Sequence, residues 1–273
     1  MNSATLPLYR HFCCDVEICC SGSVVRAHKI ILAANSGYFQ GLFSFNKTNN
    51  EAKHLDRINL EVPWTSCMSS VESIINSFYG TRIILNPANI QSFIQAADFL
   101  LVPSVINLCK NFLQDYICRS TVVKTMELSR MYSLVEVEKA CMFYILNNFS
   151  DVCEEEDFTE IPGSVLINLL EDTRLSATNE IFVLNAALRW IEACKDPAVQ
   201  FLKVISKVRF LLLDETEYIT VCDRCLEFAN KYNIIPELHL FFREISELVW
   251  YKSGYESPRA EFLNPYFSIP RLG

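Results

Sequence analysis

The residue types that carry most enzyme chemistry are sparse and scattered along this chain. Its four histidines are His11, His28, His54 and His239. They are far apart in sequence, and none of them belongs to an H-E-x-x-H zinc-binding motif. No G-x-S-x-G nucleophile motif and no G-x-x-x-x-G-K-S/T phosphate loop occurs. The sequence therefore predicts no catalytic residue, no cofactor and no enzyme activity.

Cysteines are the more abundant reactive side chains, and one C-x-x-C motif occurs, at Cys222-Asp223-Arg224-Cys225. A structural zinc site usually needs a second ligand pair, and a redox C-x-x-C usually lies beside a βαβ unit. The motif stands alone in a helical stretch, so it predicts two thiols packed between helices. The vicinal pairs Cys13-Cys14 and Cys19-Cys20 flank a predicted strand, in which neighbours point to opposite faces. Each pair should place one sulfur in the core and one outside. Packing of these thiols in the core is favoured. The alternative is a metal- or redox-linked protein that uses the cysteine pairs.

Composition limits the class of protein. The 273 residues are 51% hydrophobic and 21% charged, which is enough apolar material for two packed domains of ordinary size. The formal net charge of −8 argues against a protein that binds nucleic acid regardless of sequence. The acidic run DVCEEEDFTE (151–160) predicts a solvated loop, with a partner surface as the alternative.

Targeting and membrane signals are not recognised in the sequence. No run approaches the ~18 consecutive apolar residues of a membrane span. The first residues, MNSATLPLYRHF, lack the basic segment and apolar run of a secretory signal. The twelve cysteines are therefore expected to be reduced, mostly buried thiols, in a protein of the cytoplasm or nucleus that binds neither membrane nor nucleic acid.

Hydrophobic periodicity changes once along the chain. Alternating apolar residues predict a β-hairpin over 14–28 and a strand over 57–62. Helices are predicted over 28–43, where Ser36 caps a second helix, and then over 66–80, 88–101 and 103–117. After Cys118 only helical patterns occur, over 120–132, 134–149, 162–171, 178–194, 197–207, 215–232 and 236–251. The predicted fold is an α+β domain over 12–118, an all-α domain over 119–251, and a tail or linker over 252–273.

The run FCCDVEICCSGSVVRAHKIILAANSGYFQGLF (12–43) resembles the N-terminal signature of BTB (POZ) domains. The matching residues are Asp15, Ala27-His28-Lys29, Leu32-Ala33-Ala34, Ser36, Tyr38-Phe39 and Phe43. The segment SFYGTRIIL (77–85) resembles a later BTB strand and turn, and 89–113 resembles the closing helical pair. The helical remainder resembles the BACK domain of Kelch-like proteins, on residues Asn148-Phe149, Phe158, Leu169-Leu170, Asn179-Glu180, Trp190 and Val208-Arg209.

The resemblance implies a non-enzymatic adaptor. In that family the BTB domain dimerises and binds the cullin-3 scaffold of a ubiquitin ligase, and a C-terminal β-propeller holds the substrate. The implied cullin-3 surface consists of Tyr38, Phe39, Leu42, Phe43, Phe45 and Glu51. The implied self-association face lies near Phe12, Asp15 and His28, where Asp15 and His28 are expected to be buried polar groups. Plain core packing remains the alternative for Phe39, Leu42 and Phe43, and a solvated loop for Glu51.

Three departures from the family pattern qualify this reading. Only eleven residues precede Phe12, fewer than the ~15 that a swapped helix and strand need, so dimerisation is weakened or takes another form. Cullin-3 binders keep an apolar residue two positions before a glutamate, and Asn49 stands at that position. Replacing the apolar residue by asparagine removes ~1–3 kcal/mol of binding free energy unless Phe45 substitutes for it. No Gly-Gly pair of a Kelch repeat occurs, so no propeller is expected within this sequence. The chain is then either a BTB–BACK protein or part of a longer one.

Two functions remain open from the sequence. The first is an adaptor that binds cullin-3, recruits an unknown substrate through BACK or the tail, and associates with itself or with another BTB protein. The alternative is a BTB interaction or regulatory protein that does not bind cullin-3. Asn49 favours the alternative, and the BACK resemblance favours the adaptor.

Overall fold

The computed structural model describes residues 13–20, 23–45, 56–60 and 68–252. The chain divides into two compact units between Tyr116 and Ile117. The first unit contains a small sheet and helices, whereas the described part of the second unit contains helices only. The predicted fold class, an α+β domain followed by an all-α domain, is confirmed.

A three-stranded sheet lies in the first unit. Its strands are β1 (Val16–Cys20), β2 (Ser23–Ala27) and β3 (Asp56–Asn59), in the order β2-β1-β3. The central strand β1 is antiparallel to β2 and parallel to β3. Ile18 is buried at the centre of the sheet, opposite Val25 on one side and Ile58 on the other. The hairpin predicted from alternating residues is therefore present. Residues 61–62 of the predicted third strand lie outside the described residues.

Helices pack with this sheet in the first unit. They are α1 (Lys29–Asn35), α2 (Gly37–Phe45), α3 (Met68–Ser77), α4 (Ile90–Phe99) and α5 (Pro103–Asp115). The predicted apolar face of α4 is buried at Phe93, Ile94 and Ala97. Pro103 begins α5, where a missing backbone N–H costs no intrahelical hydrogen bond.

The strand expected within 77–85 is not formed, so that prediction is wrong. The turn is present and ends at Gly80, whose φ of 89° favours glycine. Residues 81–86 then have no strand assignment. Side-chain amides bond this backbone instead, because Asn89 Nδ2 donates to the Ile84 carbonyl at 3.0 Å and Asn89 Oδ1 accepts from the Asn86 N–H at 2.8 Å. Such local bonds compete with strand pairing.

The described part of the second unit is a succession of helices. They are α6 (Val122–Met131), α7 (Val135–Asn147), α8 (Phe149–Glu154), α9 (Gly163–Glu171), α10 (Glu180–Ala193), α11 (Pro197–Ile205), α12 (Glu215–Tyr232) and α13 (Ile235–Lys252), with 3₁₀ turns at Glu156–Glu160 and Phe210–Leu212. The bounds of α12 are those predicted from periodicity. Residues of the predicted tail beyond Lys252 lie outside the described residues.

The acidic run 151–160 is helical, which corrects the prediction of a solvated loop. It forms the end of α8 and the following 3₁₀ turn. Val152, Cys153 and Phe158 are buried, and the Phe158 ring packs edge-on against Phe149 at 6.1 Å. In the sequence the carboxylates of this run outnumber its apolar residues, so the apolar side of the helix was not recognised.

Two buried polar residues are satisfied in the core of the second unit. The Glu180 carboxylate accepts the backbone N–H of Arg209 at 3.1 Å. The Arg209 guanidinium lies 3.4 Å from the backbone carbonyls of Glu171 and Asp172. Buried charges of this kind persist only when they are hydrogen-bonded. These contacts join the end of α9, the start of α10 and the turn before Phe210.

Candidate protein-interaction site

The short helix α2 is held by the turn between α4 and α5. Ser36 Oγ donates to the Leu100 carbonyl at 2.6 Å, and the Gly37 N–H donates to the Leu101 carbonyl at 3.1 Å. Ser36 Oγ also accepts the Phe39 N–H at 3.3 Å, so the predicted capping role of Ser36 is confirmed. A Cβ at position 37 would lie 3.1 Å from Leu101 Cβ, so glycine permits this close approach.

The aromatic side chains of α2 divide between core and surface. Phe39 is 0% exposed and stacks on Phe43 at 5.9 Å. Tyr38 is half-buried and packs on Phe99 at 5.1 Å. Phe45, at the end of the helix, is 86% exposed. Phe39 is therefore a core residue rather than part of a cullin-3 surface, which corrects its predicted role.

An apolar strip remains accessible on α2 and the adjoining turn. Tyr38, Leu42 and Phe45 are four and three residues apart, so they share one helix face. Leu101 is 56% exposed and lies against Gly37 at the start of the same helix. We call Tyr38, Leu42, Phe45 and Leu101 the α2 strip. Half-buried Phe43 supports it from beside Phe39, and Glu51 lies outside the described residues.

Leu101 was missed by sequence reasoning. Its neighbour Leu100 is fully buried, and the two leucines are indistinguishable by type. The weak signal was Pro103, which begins the next helix and so places Leu101 in an interhelical turn. Surface turns expose side chains more often than helix interiors do.

The two polar residues expected at the self-association face are both hydrogen-bonded near the start of α1. Asp15 is exposed in the single chain, where its Oδ1 accepts the Lys29 N–H at 2.8 Å, and its burial at a dimer seam stays a prediction. His28 is half-buried, with its Nδ1 3.0 Å from the Tyr79 hydroxyl, which also accepts the His28 N–H at 2.9 Å. Asp15 and the Tyr79 hydroxyl thus accept two backbone N–H groups at the start of α1, whereas the His28 side chain makes no capping hydrogen bond there. Phe12 lies outside the described residues.

The cysteines provide no assembled metal or redox site among the residues that the structure describes, where no cluster of three His, Cys, Asp or Glu side chains is placed to hold a metal ion. Cys19 and Cys20 are both buried, which corrects the expectation that one sulfur of the pair points outward. The outer side is covered by Arg57, whose Nε donates to Cys19 Sγ at 2.9 Å.

Burial also sets the protonation of several thiols. It raises the pKa of Cys109, Cys141 and Cys225 to about 12, so these thiols stay protonated at neutral pH. Cys222, the other half of the C-x-x-C, is half-buried, and burial raises its pKa too. The pKa of exposed Cys118 is lowered by the hydroxyl groups of Thr121 and Ser120.

None of the described helices is both long enough and apolar enough to cross a membrane. The described residues of the first unit present an accessible apolar strip on α2, and the buried polar residues of the second unit are hydrogen-bonded in its core.

Comparison with known proteins identifies both units. The BTB/POZ domain family matches residues 7–117, and the family described as BTB And C-terminal Kelch (BACK) matches residues 122–223. Together the two matches cover more than three quarters of the chain.

Full-length relatives extend well beyond the matched region. Kelch repeat and BTB domain-containing protein 1 of horsepox virus is 28% identical over 230 residues, covering 82% of this chain and 40% of the relative. Human Kelch-like protein 26 is 26% identical over 236 residues, covering 81% of this chain and 37% of the relative. The chain thus spans about 40% of the length of the curated relatives it matches.

A solved structure of the BTB (Tramtrack and Bric a brac) domain of human gigaxonin is 29% identical and covers 40% of this chain and 84% of that one, with a TM-score of 0.34. That score is too low to support the fold, so the assignment rests on the two family matches and the sequence relatives. The chain therefore belongs to the BTB–BACK proteins of the Kelch-like family.

Proposed function

We propose that this protein is a non-enzymatic adaptor that binds the N-terminal domain of cullin-3 through the α2 strip. The matched BTB and BACK families support the adaptor class. The observation that carries the proposal is the exposure of Phe45, which is 86% exposed at the end of α2. This position immediately precedes the loop in which cullin-3 binders keep an apolar anchor.

Phe45 supplies the anchor that the loop lacks. Asn49 stands at the usual anchor position and gains nothing from burial in an apolar partner. Because α2 continues to Phe45, this ring shares a helix face with Tyr38 and Leu42. Burying a phenylalanine side chain contributes roughly 1.5–3 kcal/mol, which corresponds to about a ten- to a hundredfold change in affinity. An aromatic residue beside half-buried apolar neighbours is typical of an interface hot spot.

Phe45→Ala is expected to raise the Kd for the cullin-3 N-terminal domain about ten- to a hundredfold, measured by isothermal titration calorimetry. Ile219→Ala is the matched control, because Ile219 is an exposed apolar residue of α12 in the other unit. The control should bind as tightly as the parent protein, and circular dichroism should show both variants folded. An unchanged Kd for Phe45→Ala, in a protein that binds cullin-3, would remove the α2 strip from the proposal.

The alternative function is a BTB interaction or regulatory protein that does not bind cullin-3, and the observation that favours it is Asn49 at the anchor position.

Under either function we propose self-association, or association with another BTB protein, through the hairpin face near Phe12, Asp15 and His28. We also propose that the protein acts in the cytoplasm or nucleus. Light scattering on the free protein measures the self-association, since a dimer has twice the mass of the 31.4 kDa chain.

A further inference from the structure

The segment 81–86, which precedes α4 in the first unit, has the side-chain pattern of a strand. Exposed and half-buried positions alternate: Arg82, Ile84 and Asn86 are exposed, and Ile83 and Leu85 are half-buried. None of the residues in this segment has a positive φ. A period of two is that of an extended chain, whose successive side chains point to opposite sides. The segment is thus an extended chain that pairs with no strand among the described residues.

One side of the segment's backbone is bonded within the chain. The Asn89 side chain accepts the Asn86 N–H at 2.8 Å and donates to the Ile84 carbonyl at 3.0 Å. In an extended chain the N–H and C=O groups of every second residue point to the same side. The two bonds to Asn89 therefore place the backbone groups of Ile83 and Leu85 on the opposite side.

That opposite side is open in the part of the chain that the structure describes. No described residue bonds the backbone N–H or C=O groups of Ile83 and Leu85. Ile84, between them, is 78% exposed. Two donors, two acceptors and an exposed apolar side chain on one strand edge are what a strand of another chain requires for pairing.

We propose that the segment 81–86 pairs antiparallel with the same segment of a second copy of this chain. In the two-fold register centred on Ile84, Ile83 of each copy lies opposite Leu85 of the other. Each of these two pairs exchanges two backbone hydrogen bonds, so all the open groups of both copies are satisfied. The two Ile84 residues form a pair without hydrogen bonds, in which the Cα atoms are about 4.5 Å apart and the side chains pack closely.

The residues of the segment favour a second copy as the partner. Arg82 is the only charged residue of the segment, and the two-fold register places it opposite Asn86 of the other copy rather than opposite another arginine. Pro87 has no N–H to donate, so the pairing ends there. Because each copy uses this edge once, the pairing closes at two chains. The inference does not depend on cullin-3 binding or on the hairpin face.

Sedimentation equilibrium of the full chain tests the pairing. Ile84→Lys is expected to raise the Kd of self-association at least tenfold, because it places two like charges opposite each other at the centre of the pair. Ile219→Lys is the matched control, since it makes the same change at an exposed isoleucine of the other unit. The control should keep the Kd of the parent protein, and circular dichroism should show both variants folded.

A charge-swap experiment tests whether the partner is a second copy in this register. Ile84→Glu alone should associate as weakly as Ile84→Lys. An equimolar mixture of the two variants should recover the association, because lysine then lies opposite glutamate.

The proposal is overturned if the parent protein does not self-associate at about 100 micromolar. It is also overturned if Ile84→Lys associates as strongly as the parent, and that association would then be assigned to the hairpin face. A mixture of Ile84→Lys and Ile84→Glu that fails to recover the association would overturn it too, because the segment would then bind a different strand.

Discussion

Arg209 shows, at the scale of a single residue, how the second unit is held together. Its side chain is 1% exposed, its backbone N–H is bonded by Glu180, and its guanidinium lies near two backbone carbonyls at the end of α9. One residue thus joins parts of the chain that are about thirty to forty positions apart. Removing such a group leaves buried acceptors without a donor and opens a cavity.

Arg209→Ala is expected to destabilise the second unit by about 2–4 kcal/mol, measured as a lower midpoint of urea unfolding by circular dichroism. Arg174→Ala is the control, since exposed Arg174 also binds Asp172, but at the surface. Its unfolding midpoint should stay close to that of the parent protein. Equal midpoints for the parent and Arg209→Ala would show that the buried contacts contribute little.

The residue scale also shows what the sequence leaves undetermined. Phe39 and Phe45 are aromatic residues of one helix, yet one is buried and the other is exposed. The difference depends on how α2 is anchored, and Ser36 bonds a carbonyl 64 positions further along the chain. Side-chain type alone does not encode that contact, so the sequence predicted the aromatic set without separating core from surface.

At the scale of elements, α12 is defined by strong local signals. Asp214 Oδ1 accepts the Glu217 N–H at 2.8 Å, and Glu217 Oε2 accepts the Asp214 N–H at 3.0 Å, which completes a capping box. The bond from the Glu217 N–H, together with one from the Thr216 hydroxyl, stabilises the charged Asp214 carboxylate and lowers the pKa of Asp214 below its ordinary value of 3.8. A carboxylate with a lowered folded-state pKa stabilises the fold above that ordinary value, and this contribution is lost as the pH falls through the folded-state pKa.

Asp214→Asn keeps a side-chain acceptor at the cap but removes the charge. The parent protein should have the higher Tm at neutral pH, because an anion at a helix start is stabilising. The difference in Tm between the two proteins should begin to shrink as the pH falls below the ordinary carboxyl value of 3.8, and it should disappear once the pH is below the lowered folded-state pKa of Asp214. Thermal melts over this pH range measure the difference. A constant difference would show that the Asp214 charge does not stabilise the start of α12.

Elements were predictable from sequence where the signal was local. The bounds of α12 follow from its periodicity and its cap, and Pro103 begins α5 as expected. The strand expected within 77–85 failed because a strand requires a partner, and local amide bonds use that backbone instead. The helix within the acidic run was missed because its three buried residues are outnumbered by carboxylates.

At the scale of the whole molecule, the two units suggest a division of tasks. The first unit presents the α2 strip, which we propose binds cullin-3, whereas the second unit is a helical domain joined by the buried contacts of Glu180 and Arg209. An adaptor requires one surface for the ligase and another for a client. The chain spans about 40% of the length of the curated relatives it matches.

The central claim is that this chain binds cullin-3, and size-exclusion chromatography with light scattering tests it most directly. The protein is mixed with the cullin-3 N-terminal domain at about ten micromolar, a concentration at which a submicromolar complex forms almost completely. We expect a single co-eluting peak whose mass includes both chains, and a smaller share of complex for Phe45→Ala at the same concentration. Separate elution of the two unmodified proteins would contradict the claim and would favour an interaction protein that does not bind cullin-3.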